Sequence, residues 1–479
     1  MNNEQLAAFR SYVQTEMEKW QVPGLSIAVV QGNEVMMAEG FGYRDIEKKL
    51  AVTPDTLFAI GSCTKAFTAL AAGQLMEEGK IDLDTPVINY LPTFKMHDPV
   101  ATEQLTLRDM LCHRSGLPRH DLLLFNEKLS REDLIARLRY LEPSQPIRYK
   151  FQYNNLLITT AGYILGHMEG TSWEQVIQNY ILGPLDMTES CMSIYDLKQS
   201  ANHAVPYVEK EGCIVSTPYH NIDAFGPAGS INSNAKEMAS WVLMNLNKGR
   251  YKDRTLVSEK YIAEMQTPLI NSHSYVNQKE FLVSCYGLGW LIEPYRGYQM
   301  ILHDGGIDGY SALTAFLPNN NLGIVVLTNK NSTPLPRMIA FNLFDRALGL
   351  DEVDWSGRFW EDYERAKSQE EEQQAQICKS NHQQASRALL KYAGTYTHPG
   401  YGDIFITLRD EKLHMKLYAF ESVLSCKDRS TFRLDLDIGM MVVPLNMTFQ
   451  ESSAGKIESL SMPLNYEPDA KETVFIKQL

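Results

Sequence analysis

A serine and a lysine three residues apart on one helix share a face, which gives acyl transfer a hydroxyl nucleophile with an amine in reach of its proton. Three such quartets occur, Ser62 to Lys65, Ser233 to Lys236 and Ser453 to Lys456. Ordinary composition yields roughly one or two in a chain of this length, so the quartet alone is a weak signal. The setting of Ser62 separates it from the others. Gly61 precedes it, and Ala66-Phe67-Thr68-Ala69-Leu70-Ala71-Ala72 continues as a strong helix former. Ser62 is therefore expected at a helix N-terminus, where backbone N–H groups face an anion, with Lys65 one turn along. The competing reading is a serine that only caps the helix beside a solvated lysine. Ser453, close to Gly455, reads as a turn.

Two further elements follow in order: Tyr153-Asn154-Asn155 before the helix-like run Leu156 to Leu165, and His303-Asp304-Gly305-Gly306. Tyr-x-Asn also occurs at Tyr219 to Asn221 and Tyr275 to Asn277, without a comparable helix after it. With Ser62-Cys63-Thr64-Lys65 these elements resemble the Ser-x-x-Lys, Tyr-x-Asn and Lys/His-x-Gly motifs of the serine beta-lactamase and penicillin-binding-protein superfamily, and in particular of class C beta-lactamase-related hydrolases. Leu111-Cys112-His113-Arg114-Ser115-Gly116-Leu117-Pro118, Ala228-Gly229-Ser230-Ile231-Asn232-Ser233 and Tyr286-Gly287-Leu288-Gly289-Trp290 extend the resemblance over roughly residues 5–350. Tyr392-Ala393-Gly394-Thr395-Tyr396 and Tyr401-Gly402-Asp403-Ile404 resemble the lipocalin-like domain that accompanies some members.

The resemblance implies that Ser62 attacks a scissile carbonyl while Lys65 and Tyr153 share its proton, the choice of base staying open. It implies that Asn155 orients Lys65 and the substrate amide, and that the backbone N–H groups of Ser62 and Gly306 form the oxyanion hole. Gly305 and Gly306 would let substrate approach the strand closely. His303 stands where penicillin-recognising members carry lysine. Histidine is mostly neutral near pH 7, so efficient beta-lactam turnover is not expected; a strand histidine with a structural hydrogen bond is the plainer alternative. Asp304 adds an anion that could favour a substrate amine. The reaction expected is hydrolysis of an amide or ester, with a peptide or small amide favoured. Carboxylesterase is the nearest rival, and a non-catalytic sensor or assembly protein the rival from another class. No metal or organic cofactor is expected: His113 and His120 lie in a proline-containing loop without a ligand cluster, and Cys63 reads as packed away. No serine lies in a Gly-x-Ser-x-Gly frame.

The elements that must position these residues form an α+β pattern. A first helix at about 4–20 precedes Leu25 to Val30 and Val35 to Ala38, a hairpin about Gln31-Gly32-Asn33. More strand-like runs lie at Tyr286 to Trp290, Met300 to His303, Ala312 to Leu317 and Leu322 to Thr328, and helical periodicity fills about 62–265 between them. This predicts an antiparallel sheet built from both ends of the domain, flanked by helices, with an inserted helical subdomain over one edge. Around 361–388 the composition turns charged and polar, as a solvated helix or a flexible connector would be. Short alternating runs from Tyr392 onward predict a small all-β, barrel-like domain. The expected division is a catalytic domain at 1–360, a linker at 361–388 and a β-domain at 389–479.

With 479 residues, 44% hydrophobic, the chain is long enough for two cores. A net charge of −13 and 45 scattered Lys and Arg argue against nucleic acid as a partner. No run reaches the roughly 20 apolar residues of a membrane span. Met1-Asn2-Asn3-Glu4-Gln5 leads straight into a helical pattern without a secretory signal, which predicts a cytoplasmic protein. The seven cysteines lack C-x-x-C spacing and read as reduced, mostly buried thiols. A small-molecule or peptide substrate is the expected partner, with a homo-oligomer as an open option.

Overall fold

The computed structural model describes the whole chain except Ser274, Tyr275, Asn277, Leu282, residues 379–388, Met440, Met441, Tyr466, Pro468 and Leu479. The Tyr275 to Asn277 motif thus lies outside the described residues. A nine-stranded antiparallel sheet draws Gly24–Gln31, Glu34–Asp45 and Leu50–Ala51 from the start of the chain and six strands between Ile270 and Thr328 from far downstream. The two groups join where Leu25 pairs with Thr328 and Val30 with Gly323. Both strands at this junction are apolar without alternation, the pattern of strands covered on both faces. Helix Ala235–Leu246 packs on them, and helix Leu335–Leu348 on Leu322–Thr328 and Tyr310–Leu317, with Asn3–Lys19 behind it.

Helix Thr64–Glu77 is buried along almost its full length. Its sequence is apolar all round rather than on one stripe, as expected of a helix with no solvent face. Alanines and glycine along it leave room for neighbours: the Tyr261 ring lies where a Cβ on Gly73 would be, and its hydroxyl donates to the Ala69 carbonyl at 2.7 Å. Helix Asn155–Met168 runs beside it and is capped by Asn154, whose Oδ1 accepts from Leu157 N at 2.9 Å.

The C-terminal eight strands, Gly394–His398 to Thr473–Lys477, close into a barrel through pairing of Tyr396 with Lys477 and Thr397 with Ile476. Alternate burial along Val442–Glu451 follows the two-residue period of a strand with one face inward. Tyr392, Phe432 and Phe449 pack edge to face and tilted against one another inside. These aromatics are core, as expected, so the barrel carries its own apolar filling. Between the two bodies helix Trp355–Cys378 runs through the charged tract. Its first turns lie against Trp20, whose ring meets Trp360 at 5.1 Å.

One expectation is corrected here. The six described cysteines are free, but only Cys63 and Cys112 are buried, and Cys213 is exposed because it lies on the surface hairpin Tyr207–Lys210/Cys213–Ser216. Among the described residues, no helix is long and apolar enough to cross a membrane.

Candidate active site

The chain enters helix Thr64–Glu77 through a single 3-10 turn, Gly61–Cys63. Gly61 has φ +50°, the left-handed region that glycine adopts without a Cβ penalty. The turn abuts the strand Tyr298–Ile307 backbone to backbone. A Cβ on Gly61 would stand 2.8 Å from Gly306 N, and one on Gly305 would stand 1.9 Å from Ile60 O and 3.3 Å from Ser62 N. The two glycines thus permit the close approach that brings the Ser62 and Gly306 amides together. Gly306 itself is exposed and has open space where a Cβ would be.

Lys65 is fully buried, and its Nζ lies 2.9 Å from Ser62 Oγ and 2.7 Å from the Ala228 carbonyl. Burial, with the charge of Arg119 adding to it, holds this amine well below the usual lysine range. As a neutral amine it can donate to Ala228 and keep a lone pair for the Ser62 proton. The same Nζ lies 4.8 Å from the centroid of the Tyr153 ring. Tyr153 stands beside His113, ring centroids 4.4 Å apart. Ser62, Lys65 and Tyr153, drawn from a turn, a helix and a loop, thus meet.

Asn155, His303 and Asp304 are placed differently from the expectation. Asn155 Nδ2 donates to Asp121 Oδ1 at 3.0 Å, and the hold on Lys65 expected of it is supplied by the Ala228 carbonyl. His303 is buried, with Nε2 2.8 Å from the Tyr286 hydroxyl and Nδ1 2.6 Å from the Asp304 carbonyl. Burial, reinforced by Lys65, pushes its pKa down to about 4. His303 is a neutral group with both ring nitrogens engaged, which is the structural-hydrogen-bond alternative. Asp304 sends both carboxylate oxygens to Arg337, at 2.8 and 2.6 Å, so its charge is already matched inside the protein. Cys63 is packed away as expected: its thiol donates to the His303 carbonyl at 3.1 Å, and burial pushes it up to about 12. The rival quartets do no comparable work. Lys236 reaches Asp55 on the surface, and Ser453 falls between barrel strands.

Three contributors escaped sequence reasoning. His113, set aside as a metal candidate, is buried against Tyr153 and Tyr286, and its Nδ1 accepts from Asn154 N at 3.1 Å. Arg119 stacks on the Tyr153 ring with its Cζ 4.7 Å from the centroid. The barrel contributes the third: Glu467 accepts from Gln152, the neighbour of Tyr153, Asp469 pairs with Lys150 at 2.6 Å, and Asn465 accepts from His120 N at 2.9 Å. The seam is completed by the His120 Nδ1 contact with the Tyr401 hydroxyl at 2.7 Å. The available signal was sequence proximity to Tyr153 for Gln152, and to the Leu111 to Pro118 motif for Arg119.

Asp109 anchors the loops that carry these groups. It is fully buried, closes a capping box with Thr106, and receives Arg114 at 2.6 Å and Arg148 at 2.8 Å. Burial alone would push its carboxyl up, but the two guanidiniums hold it below the usual carboxylate range. Such a depressed pKa means the stabilisation is present above the ordinary carboxylate pKa and is lost as pH falls through the folded value. Asp109→Asn is expected to cost about 2–3 kcal/mol, read as a lower urea midpoint at pH 7, with the gap to wild type narrowing toward pH 3.

A family model described as Beta-lactamase matches residues 9–347, and one described as a domain of unknown function, DUF3471, matches residues 379–477. The unguisins hydrolase ungD' of Aspergillus campestris is 29% identical over 440 residues, spanning 86% of this chain and 79% of that protein. The octameric penicillin-binding protein homologue from Pyrococcus abyssi is similar in structure over 98% of this chain and 99% of its own, with a TM-score of 0.65 at 23% identity. A class C beta-lactamase from Rhodobacter sphaeroides is similar over 72% of this chain and all of its own, with a TM-score of 0.58 at 22% identity.

Proposed function

The chain belongs to the beta-lactamase family of serine hydrolases, and on that premise we propose that it hydrolyses an amide, of a peptide or small molecule, through an acyl-enzyme on Ser62. The observation that carries this reading is the buried Lys65 amine 2.9 Å from Ser62 Oγ. Burying a lysine without a carboxylate partner is costly, and Lys65, unlike the buried Lys330 paired with Glu209, reaches a serine hydroxyl and a carbonyl instead.

In the proposed sequence Ser62 Oγ bonds to the carbonyl carbon, and its proton passes to the Lys65–Tyr153 pair. The carbonyl π pair moves to oxygen and is met by the N–H groups of Ser62 and Gly306. Collapse breaks the C–N bond, and the departing amine takes the proton from the pair. Water then attacks the ester carbon and gives a proton to the pair. The C–Oγ bond breaks and Oγ is reprotonated, so amide and water become acid and amine. The return of a proton is what an amide needs most, because an amine leaves poorly as an anion. His303 enters as a neutral strut for Tyr286, and efficient beta-lactam turnover is not part of the proposal.

The relative named as an unguisins hydrolase supports hydrolysis as the reaction class. The two family matches, over residues 9–347 and 379–477, support a division into two domains, which we propose at the stretch 361–388. Self-association is included on the likeness to an octameric homologue. Matched substrates with one acyl group and either an amide or an ester leaving group test the preference: amide turnover above the Ser62→Ala background is expected, and ester turnover with none of the amide would replace this reading with a carboxylesterase.

A further inference from the structure

A fixed positive charge near a lysine and a tyrosine adds to burial in keeping their shared proton acceptor open, and the strand beside Ser62 offers none free to do so. His303 is neutral, and Arg337, whose charge reaches it, is spent on Asp304 and Glu293. Among the described residues, the guanidinium over the Tyr153 ring comes from elsewhere, the loop at 118–120. The Arg119 Cζ lies 4.7 Å from the Tyr153 ring centroid and Lys65 Nζ 4.8 Å from it, so the ring carries a guanidinium and the catalytic amine at nearly equal distances.

A guanidinium keeps its charge at every working pH and stacks on an aromatic ring without losing its donors. Placed on a phenol it stabilises the phenolate; placed near an amine it opposes the ammonium. Both effects act in one direction, toward loss of the proton from the Tyr153–Lys65 pair. Resting on the reading that this pair takes the Ser62 proton, we propose that Arg119 is a positioning residue whose fixed charge opens the pair to that proton at neutral pH.

The surroundings agree. Arg119 depresses the Lys65 amine second only to burial. Asp121 pairs with the guanidinium at 2.6 Å while accepting from Asn155, which ties the loop to the Tyr153 segment; its carboxylate favours the Lys65 ammonium but acts on it less than Arg119 does. The other groups facing Tyr153 do not duplicate the charge. His113, from the loop after helix Leu107–Leu111, is held well below the usual histidine range by burial, and His303, from the sheet, is pushed down to about 4. Glu467, from the barrel, is raised by burial and faces Arg119 with an acid.

The test is the pH profile of kcat/KM for p-nitrophenyl butyrate in the full-length protein, with the Ser62→Ala rate subtracted. The pair must be unprotonated to act, so activity falls as pH drops through an acid limb. Arg119→Gln is expected to move that limb up by about one pH unit. Arg119→Lys is expected to restore most of the shift, and Asp121→Asn, which leaves Arg119 unopposed, to move the limb down. An unmoved limb in Arg119→Gln with only kcat reduced, or an Arg119→Lys profile identical to that of Arg119→Gln, would overturn the proposal. Wild-type turnover by Ser62→Ala would instead overturn the reading beneath it.

Discussion

Ser62→Ala is expected to lower kcat by about 10⁴-fold or more, with the folded state unchanged. The hydroxyl is the only part of Ser62 removed, and among the described residues its side-chain partner is Lys65, so packing is hardly altered. The loss follows from the covalent step: without Oγ no acyl-enzyme forms. Residual turnover near the wild-type rate in purified protein would mean that the reaction runs elsewhere. No turnover by wild type on any amide or ester would favour the binding-protein rival.

The second large effect concerns backbone. Gly305→Ala would place a methyl 1.9 Å from the Ile60 carbonyl, in a contact between two main chains that no rotamer can relieve. The turn Gly61–Cys63 must then move off the strand, and the distance between the Ser62 and Gly306 amides must grow. Losing one oxyanion donor costs about 10²–10³ in kcat, and that is the loss expected here, with KM much less affected. Gly306→Ala is the control one residue away. No protein atom lies within 4 Å of its Cβ position, so the main-chain contact is kept and kcat is expected to stay within about tenfold, a methyl in the path of the substrate showing instead in KM. Thermal unfolding of both variants separates a displaced oxyanion site from a lost fold. Equal losses of kcat in the two would remove the argument for main-chain contact.

The parts legible in the sequence are those set by local pattern. Helix Thr64–Glu77 announced itself through its run of helix formers after Gly61, and the barrel through strands that alternate. Leu25–Val30 and Leu322–Thr328 were readable as buried strands, though not that they would be partners across some 300 residues. What escaped was convergence. Glu467 reaches the Tyr153 neighbourhood from a segment whose own sequence carries no mark of it, and Arg119 was marked only by following the Leu111 to Pro118 motif. His113 looked like an isolated loop histidine because the rings it meets, Tyr153 and Tyr286, are 40 and more residues away. Asn155 was read from its motif, yet its amide partner is set by Asp121, which the motif does not contain. Cys213 was misjudged because cysteine is usually buried, whereas here a small surface hairpin sets its exposure.

The placement of Lys65 also bears on which pH range suits the protein. Its amine is held well below the lysine range, and the two histidines nearest Tyr153 are neutral well before pH 7. These shifts favour the unprotonated forms, so activity is expected to be lost on acidification.

The central claim, that Ser62 is an activated nucleophile, is tested most directly by intact-mass spectrometry after exposure to a fluorophosphonate, comparing wild type with Ser62→Ala. The account predicts one adduct on wild type and none on the variant; an adduct of equal extent on Ser62→Ala, or none on wild type, would contradict it.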